Sequence, residues 1–330
     1  MSKKILLIGG EGYIGNVVAL SLLNQNYKIT SIDNLIYSNY DNIISKKFNS
    51  NYSFINADIN NISVMDENIK KHEVIILLAG LVGDPITKKY PKQSDIINLK
   101  GVKNIINICE QNSKKLIFVS TCSNYGLINH DEIADEKHIL KPLSLYAKAK
   151  VEVEEFIMKK KILNKFKPTI LRFATAFGIS PRMRFDLTVN QFTRELFLSK
   201  RLDVFDADTW RPYCHVKDFA SLIEKVIQVD ESKVAWEIFN AGGNENNATK
   251  RTIINKISKF LKNINVNFLE NDVDPRNYKV EFSKVNNLLD FKPKYSIEYG
   301  IEEIIKSMQS GMYKEEVNNN VNKFGNYEIG

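Results

Sequence analysis

The sequence predicts an α/β fold, a doubly wound parallel sheet joined to a smaller mixed α/β substrate-binding domain. Short apolar runs alternate with amphipathic segments through the first half of the chain. A glycine-rich turn follows the first of these runs, and the texture changes after about residue 178.

The apolar runs at 4–8, 28–32, 52–57, 74–79, 115–120 and 169–173 read as strands. Helical periodicity fills 13–24, 64–70, 94–111 and 145–160. Six strands in βα alternation are what a Rossmann-like fold requires. Beyond 178, residues 190–198, 218–228 and 252–261 read as helices, 202–215 as a short strand and loop, and 264–269 as a strand. The expected division is 1–178 for the dinucleotide-binding domain and 179–330 mostly for the substrate-binding domain, with a strand near 237–240 returning to the main sheet. Residues 315–330, rich in Asn and weak in periodicity, read as a loose tail or an arm packed on a partner.

Composition narrows the function classes. Of 330 residues, 43% are apolar and 26% charged, with only 15 Gly and 8 Pro, which fits neither a collagen nor a disordered chain. No run approaches the roughly 20 apolar residues of a membrane span. Met1-Ser2-Lys3-Lys4 and the apolar 5–8 break at once into Gly9-Gly10, so they read as a buried first strand rather than a signal peptide, and a cytoplasmic location follows. Cys109, Cys122 and Cys214 show no CxxC pairing, and the four histidines lie far apart, so no metal is expected. A net charge of +7 without a basic stripe points away from nucleic acid.

The turn Gly9-Gly10-Glu11-Gly12-Tyr13-Ile14-Gly15 lies between a strand and a helix. Glycines there permit the tight turn, bring backbone N–H groups to a pyrophosphate and let helix pack on strand, while the helix N-terminus faces the phosphates. Asp33 ends the second strand, where a carboxylate accepts ribose hydroxyls and repels a 2′-phosphate, so NAD is expected over NADP. Asp58 follows the third strand, either within reach of the adenine or as a solvated loop acid. Leu78-Ala79-Gly80 ends the fourth with small residues suited to a backbone lying against the cofactor.

Tyr146 and Lys150 stand at i and i+4, on one face of a helix. An ammonium beside a phenol, with a positive nicotinamide, favours phenolate, so Tyr146 is expected to act as a base near neutral pH. Thr121, at the end of the fifth strand, brings a hydroxyl to the carboxyl edge of the sheet, where ligands of open α/β folds bind.

The glycine turn, Ser120-Thr121-Cys122-Ser123-Asn124-Tyr125-Gly126, Tyr146xxxLys150, Leu171-Arg172-Phe173 and Arg211-Pro212-Tyr213-Cys214-His215-Val216-Lys217-Asp218 resemble the extended short-chain dehydrogenase/reductase family. More narrowly they resemble its NAD-dependent nucleotide-sugar epimerase/dehydratase branch, UDP-galactose 4-epimerase-like, and the match runs to about residue 300. The resemblance implies an oxidoreductase of carbohydrate biosynthesis with tightly bound NAD+/NADH, acting on a nucleoside-diphosphate sugar. It also implies a homodimer or higher homo-oligomer, joined by the helix carrying Tyr146 and its neighbour. It makes Tyr146 the acid/base, Thr121 its hydrogen-bonding partner and Lys150 the ribose-binding lysine. The expected cofactor contacts add Tyr13, Ile14, Asn34, Ile59 and Asn98 to the glycines and acids above. Arg211 and Arg276 match arginines that clamp the substrate diphosphate. Ser123, Thr175 and Asn190 are the remaining expected substrate contacts.

The departures from the family pattern bear on the reaction. Sugar-nucleotide 4,6-dehydratases carry an Asp-Glu pair where this chain has Cys122-Ser123, which disfavours loss of water by that route. The 3,5-epimerases place a cysteine where Ser123 stands, so Cys122 reads as a packing residue. Thr175 replaces the Asn of the 4-epimerase pattern, and Leu81-Val82-Gly83-Asp84-Pro85 is not the epimerase loop; Asp84 reads as a turn acid or a sugar contact. Net 4-epimerisation is the leading expectation. A C4 dehydrogenase or 4-keto-sugar reductase that recycles NADH with a second carbonyl substrate is the alternative. A catalytically silent NAD-binding sensor is a third reading, set against by the intact Tyr146 and Lys150.

Overall fold

Along the first strand the side chains alternate between two apolar layers, Ile5 and Leu7 entering one, Leu6 and Ile8 the other. Burial on both faces is the signature of a parallel sheet covered by helices. The computed structural model describes residues 3–37, 43, 46–129, 132–162, 165–270, 276–313 and 324–329. In chain order its first strands are β1 (Lys4–Ile8), β2 (Lys28–Asp33), β3 (Tyr52–Asn56), β4 (Val74–Leu77), β5 (Lys115–Thr121), the short β6 (Ile133–Ala134) and β7 (Lys167–Phe173). Then come β8 (Thr175–Phe177), β9 (Leu202–Phe205), β10 (Trp210–His215), β11 (Glu237–Ala241), β12 (Asn247–Thr249), β13 (Val266–Leu269) and β14 (Lys279–Val280).

The main sheet has seven strands in the order β11-β7-β5-β4-β1-β2-β3, all parallel. One face packs Ile5 and Leu7 against Val18 and Leu22 of α1 (Tyr13–Asn24) and Phe219 and Ile223 of a later helix, Val216–Gln228. The other packs Leu6 and Ile8 against Met65 of α2 (Ile62–Lys71) and against the helices Val102–Gln111 and Leu145–Met158. Strand β4 ends two residues earlier than its apolar run suggests. The N–H groups of Leu78 and Ala79 both turn onto the carbonyl of Ile8, at 2.9 and 2.8 Å, which ends the ladder.

The remaining helices are α3 (Asp84–Lys89), α4 (Pro91–Ser94), α5 (Val102–Gln111), α6 (Leu145–Met158), α7 (Thr188–Phe197), α8 (Val216–Gln228), α9 (Lys250–Ile257), α10 (Ser283–Leu289) and α11 (Ile297–Gln309). Residues Asp95–Gly101 form a π-helical stretch between α4 and α5. Two small sheets, β12-β10-β8 and β13-β9, gather much of the second half of the chain around Phe177, Val189, Ile253, Ile301 and Ile305, while the pair β14-β6 packs Val280 and Ala134 into one core layer of the main sheet. Strand β11 leaves this region and pairs with β7, Glu237 beside Thr169 through Ala241 beside Phe173.

The 315–330 segment is only partly within the described residues. Its residues 324–329 lie against their own chain rather than extending loosely. The N–H of Phe185 donates to the carbonyl of Phe324 at 2.9 Å, and Phe324 packs on Phe185 and Tyr313. An aromatic side chain at that position has apolar area to bury, and a cluster of Met183, Phe185, Met308 and Tyr313 receives it.

Behind the glycine turn lies a buried charge cluster. Glu11 takes the ammonium of Lys46 at 2.6 Å, the hydroxyl of Ser31 at 2.7 Å and that of Tyr52 at 2.5 Å. Lys46 also donates to Asn16 Oδ1. Burial lowers the Lys46 ammonium and raises the Tyr52 phenol, and the charge of Glu11 acts on both. The cluster ties β2, β3 and α1 to the turn from behind. Replacing Lys46 by Met takes this cation from a buried carboxylate and is expected to cost about 3 kcal/mol of unfolding free energy. Adding Glu11→Gln should recover most of that loss. Urea unfolding midpoints check both; equal stability of wild type and Lys46→Met would show that the pair does not hold the turn.

Candidate active site

Gly9 has φ +86°, and a Cβ there would lie 2.5 Å from the backbone nitrogen of Ala79, so the first turn of the loop admits only glycine. A Cβ on Gly15 would strike the carbonyl oxygen of Gly9 at 2.6 Å. Gly12 differs, because its Cβ direction meets nothing closer than 3.5 Å and opens on a cavity. It stands as N-cap of α1 without a side-chain cap, so no cap side chain takes up the first N–H groups of the helix. An open face, uncapped N–H groups and the positive end of a helix suit a pyrophosphate.

The cavity holds about 810 Å³ and runs along the carboxyl edge of the sheet. Its dinucleotide end includes Gly9, Gly12, Tyr13, Ile14 and Gly15, and it continues past Asp33, Asn34, Asp58 and Ile59. Asp33 accepts the N–H groups of Glu11 at 3.0 Å and Leu35 at 2.9 Å. Burial raises its carboxyl above the ordinary value, and these two donors pull it back. Asn34 donates to Asp58 at 2.8 Å, which fixes the two side chains side by side. Leu78, Ala79 and Gly80 form the floor toward the reacting end. These positions make a cradle with an anion site at one end and a carboxylate for ribose hydroxyls beyond it, so the residues present fit NAD.

Thr121, Ser123, Tyr146, Lys150 and Thr175 line the same cavity. Thr121 closes β5, and its hydroxyl accepts the N–H of Ser123 at 3.1 Å. Helix α6 begins at the cap Ser144, whose hydroxyl accepts the N–H of Ala147, and this start sets the azimuth of Tyr146 and Lys150. Lys150 is buried; its ammonium donates to the carbonyl of Val119 at 2.7 Å and lies 5.9 Å from the centre of the Tyr146 ring. Burial pulls this ammonium down to about 8, with Glu154 opposing the fall. Desolvation raises the half-buried Tyr146 phenol above its ordinary value, with Arg184 lowering it and Asp84 raising it. One of the three N–H donors of Lys150 is engaged by the Val119 carbonyl, which leaves the others for a ligand, and a further positive charge at the site would lower the phenol.

Beneath these groups lies a second buried network. Arg172 forms a forked pair with Glu154, with Nη2 to Oε2 at 2.7 Å, and donates to the Tyr125 hydroxyl at 3.0 Å. Ser120 and Asn124 also bond Glu154, and Tyr125 donates to Asn240 of β11. Cys122 donates its thiol to the Arg172 carbonyl at 3.1 Å, and burial raises that thiol, so it packs rather than reacts.

Arg211 and Arg276 line the far end of the cavity, with Lys250 and Lys88 nearby. Arg211 lies over the ring of Tyr278, 5.0 Å from its centre, and Arg276 pairs with Asp84. Asp84 is thus a member of the wall and a counter-charge to one of the arginines, beyond its place in a turn. Two expected contacts stand apart from the cavity wall. Asn190 is buried and fully engaged: it accepts the N–H of Gly178 at 3.0 Å and donates to the Arg184 carbonyl at 2.9 Å and the Tyr13 hydroxyl at 3.2 Å. It binds loop to loop instead of facing a substrate. Asn98, in the π-helical stretch, bonds both the N–H and the carbonyl of Leu81 and shapes the wall from behind.

Among the wall residues that the sequence reading missed are Arg182, Arg184, Asn326 and Tyr327. Arg182 lies over the ring of Tyr37, 4.5 Å from its centre, beside Asp33. Burial and the neighbouring Arg184 bring it down to about 10. The two closely spaced arginines of Arg182-Met183-Arg184 were a readable signal of a positively charged wall. Asn326 and Tyr327, from the far end of the chain, carried no local signal at all.

Comparison with known proteins agrees with this geometry. Residues 5–242 match the NAD dependent epimerase/dehydratase family. The chain is 25% identical to the UDP-glucuronate 4-epimerase of Thermodesulfobacterium geofontis over 313 residues, 91% of this chain and 94% of that one. It is 26% identical to the UDP-N-acetyl-alpha-D-glucosaminuronate decarboxylase of Bacillus cytotoxicus, over 93% and 98% of the two chains. The crystal structure of UDP-glucuronic acid 4-epimerase from Bacillus cereus, in complex with UDP-glucuronic acid and NAD, superposes with a TM-score of 0.84 at 25% identity, covering 93% of this chain and 99% of that one. With its glycine turn, its parallel sheet and this match over most of its length, the chain belongs to the NAD dependent epimerase/dehydratase family.

Proposed function

We propose that the protein carries out NAD-dependent oxidation and reduction at C4 of a nucleoside-diphosphate sugar, with net inversion at that carbon. The observation that carries this is the meeting of Thr121, Tyr146 and Lys150 in one cavity with the dinucleotide turn and the arginines of the far wall. The nicotinamide supplies a hydride acceptor and, once reduced, a donor. Tyr146 takes the proton of the C4 hydroxyl as the C–H bond breaks, and Thr121 hydrogen-bonds the same oxygen. Lys150 would hold the ribose and, together with the positive charge of a bound nicotinamide, bring the half-buried phenol down far enough to ionise. Arg211 and Arg276 hold the diphosphate while the ring turns over, so either face of the 4-keto sugar is presented for reduction.

The nucleotide is taken to be uridine diphosphate, the one named for each relative above. Buried Cys122, bonded to a carbonyl, and Ser123, whose hydroxyl receives the Tyr278 phenol at 3.4 Å, offer no carboxylate for removing water; this supports epimerisation over 4,6-dehydration. We take the assembly to be a homodimer through the π-helical stretch and α6, where Ile96 and Leu145 are exposed.

Purified protein incubated with UDP-sugars should interconvert C4 epimers without net NADH accumulation. Net growth of NADH absorbance would favour a dehydrogenase instead, and no turnover of any sugar nucleotide by an NAD-loaded protein would remove the reading. Tyr146→Phe should lower kcat by at least about 100-fold and leave NAD bound; surviving activity would assign the base elsewhere.

The pH profile follows from the same groups. With Lys150 at about 8, loss of its proton removes the cation beside the phenol as pH rises through that value, so kcat/KM should fall on the alkaline side of about pH 8. Lys150→Arg keeps its charge throughout this range and should show low turnover without that limb. An alkaline limb at the same pH in the arginine variant would assign the titration to another group.

A further inference from the structure

Arg182 is a cation taken out of water, 6% exposed, on the wall of the cavity. Its Nη2 donates to the Gly325 carbonyl at 3.1 Å, and its guanidinium lies over the Tyr37 ring, 4.5 Å from the centre. No ion pair joins it to an acid among the described residues, whereas Arg184, two residues on, bonds Asp186 through Nε at 3.0 Å. The Nε and Nη1 donors of Arg182 have no hydrogen-bond partner among the described residues, and both keep accessible surface. Burial and the charge of Arg184 bring the guanidinium down to about 10, so its surroundings favour an anion beside it.

Its place in the fold says which anion. The loop that carries Arg182 is docked on Tyr13, the first residue of α1. The Ser180 hydroxyl donates to the Tyr13 carbonyl at 2.6 Å, and the Tyr13 hydroxyl donates to the Gly178 carbonyl at 2.6 Å. Gly12, the N-cap of that helix, lines the same cavity. The charge of Arg182 acts on Asp33, which suits a ribose, and that of Arg184 acts on the Tyr146 phenol at the reacting end. A dinucleotide carries its pyrophosphate between its two nucleosides, so a cation set between those ends, beside a helix N-terminus, faces that group. We infer that Arg182 is a cofactor-binding residue, donating from the 178–186 loop to the pyrophosphate oxygens of NAD. Hydrogen bonds from a guanidinium to phosphate are short and strong. Gly325 and Tyr37 hold the side chain before the cofactor arrives, which lowers the ordering cost of binding. The inference goes beyond the C4 chemistry, since it concerns the cofactor whichever sugar is turned over.

The test reads cofactor affinity, not turnover. The full chain, freed of bound nucleotide, is titrated by calorimetry with NAD, NADP and ADP-ribose, which keeps the pyrophosphate but lacks the nicotinamide. UDP is titrated with NAD at saturation. Wild type is compared with Arg182→Met and Arg182→Lys. Arg182→Met should bind NAD and ADP-ribose about ten- to hundredfold more weakly, the size of a hydrogen bond to a charged group, and should bind UDP as wild type does. Arg182→Lys keeps the charge and should recover part of the loss. No loss for NAD, or a loss for NAD without one for ADP-ribose, would overturn the assignment. So would a loss confined to NADP, which places Arg182 on a 2′-phosphate, or an equal fall for UDP, which points to the substrate diphosphate. A wild type that binds NAD but not UDP would instead remove the nucleotide-sugar reading and leave NAD and ADP-ribose to decide this one. If Arg182→Met fails to fold, Arg182→Lys decides, and NAD affinity equal to that of wild type overturns the assignment.

Discussion

Because all seven strands of the main sheet run the same way, their carboxyl ends share one rim, and the dinucleotide cradle and Thr121 depend on that alignment. Gly9 to Gly15 follow β1, Asp33 ends β2, Asp58 follows β3, Leu78 to Gly80 follow β4 and Thr121 ends β5. Reversing any one strand would carry its functional residue some 15 Å away, to the opposite rim. The apolar layers on both faces therefore act on function through direction. By burying Ile5 with Leu7 and Leu6 with Ile8, they leave a parallel arrangement as the one that covers both faces.

That rim is stiffened by charges taken out of water in two places. Glu11 and Lys46 stand behind the dinucleotide turn, Arg172 and Glu154 beneath the catalytic hydroxyls. Both pairs are saturated with hydroxyl and amide partners, the condition under which a buried ion pair specifies geometry rather than merely costing desolvation. Tyr125 and Asn240 carry the second network across to β11, so the floor of the site is bonded to the last strand to join the sheet. Asn98 and Asn190 serve the same end with neutral carboxamides, each holding backbone loops in place.

Most of the main sheet was legible because its signals are local. Periodicity located β1 and α1 to the residue, and glycine chemistry located the turn. Boundaries slipped where the tertiary ladder decides them, as at β4, whose end is set by the carbonyl of Ile8. Helix α11 was missed although Ile297, Ile301, Ile304, Ile305 and Met308 carry a helical repeat after the cap Ser296, a readable signal in a region taken as texture. Asn98 and Asn190 were expected to be ligand contacts, but no motif says which way a carboxamide points. The raised phenol of Tyr146 was illegible for another reason, since the charges acting on it, Arg184 and Asp84, come from distant parts of the sequence.

The return of β11 has a mechanical consequence. The backbone passes from the main sheet to the small sheets at residue 174, comes back into α8 at 215–216, and departs again beyond Ala241. Each crossing is a separate covalent tie, so any relative rotation of the two parts has to be absorbed by several backbone segments together rather than by one linker.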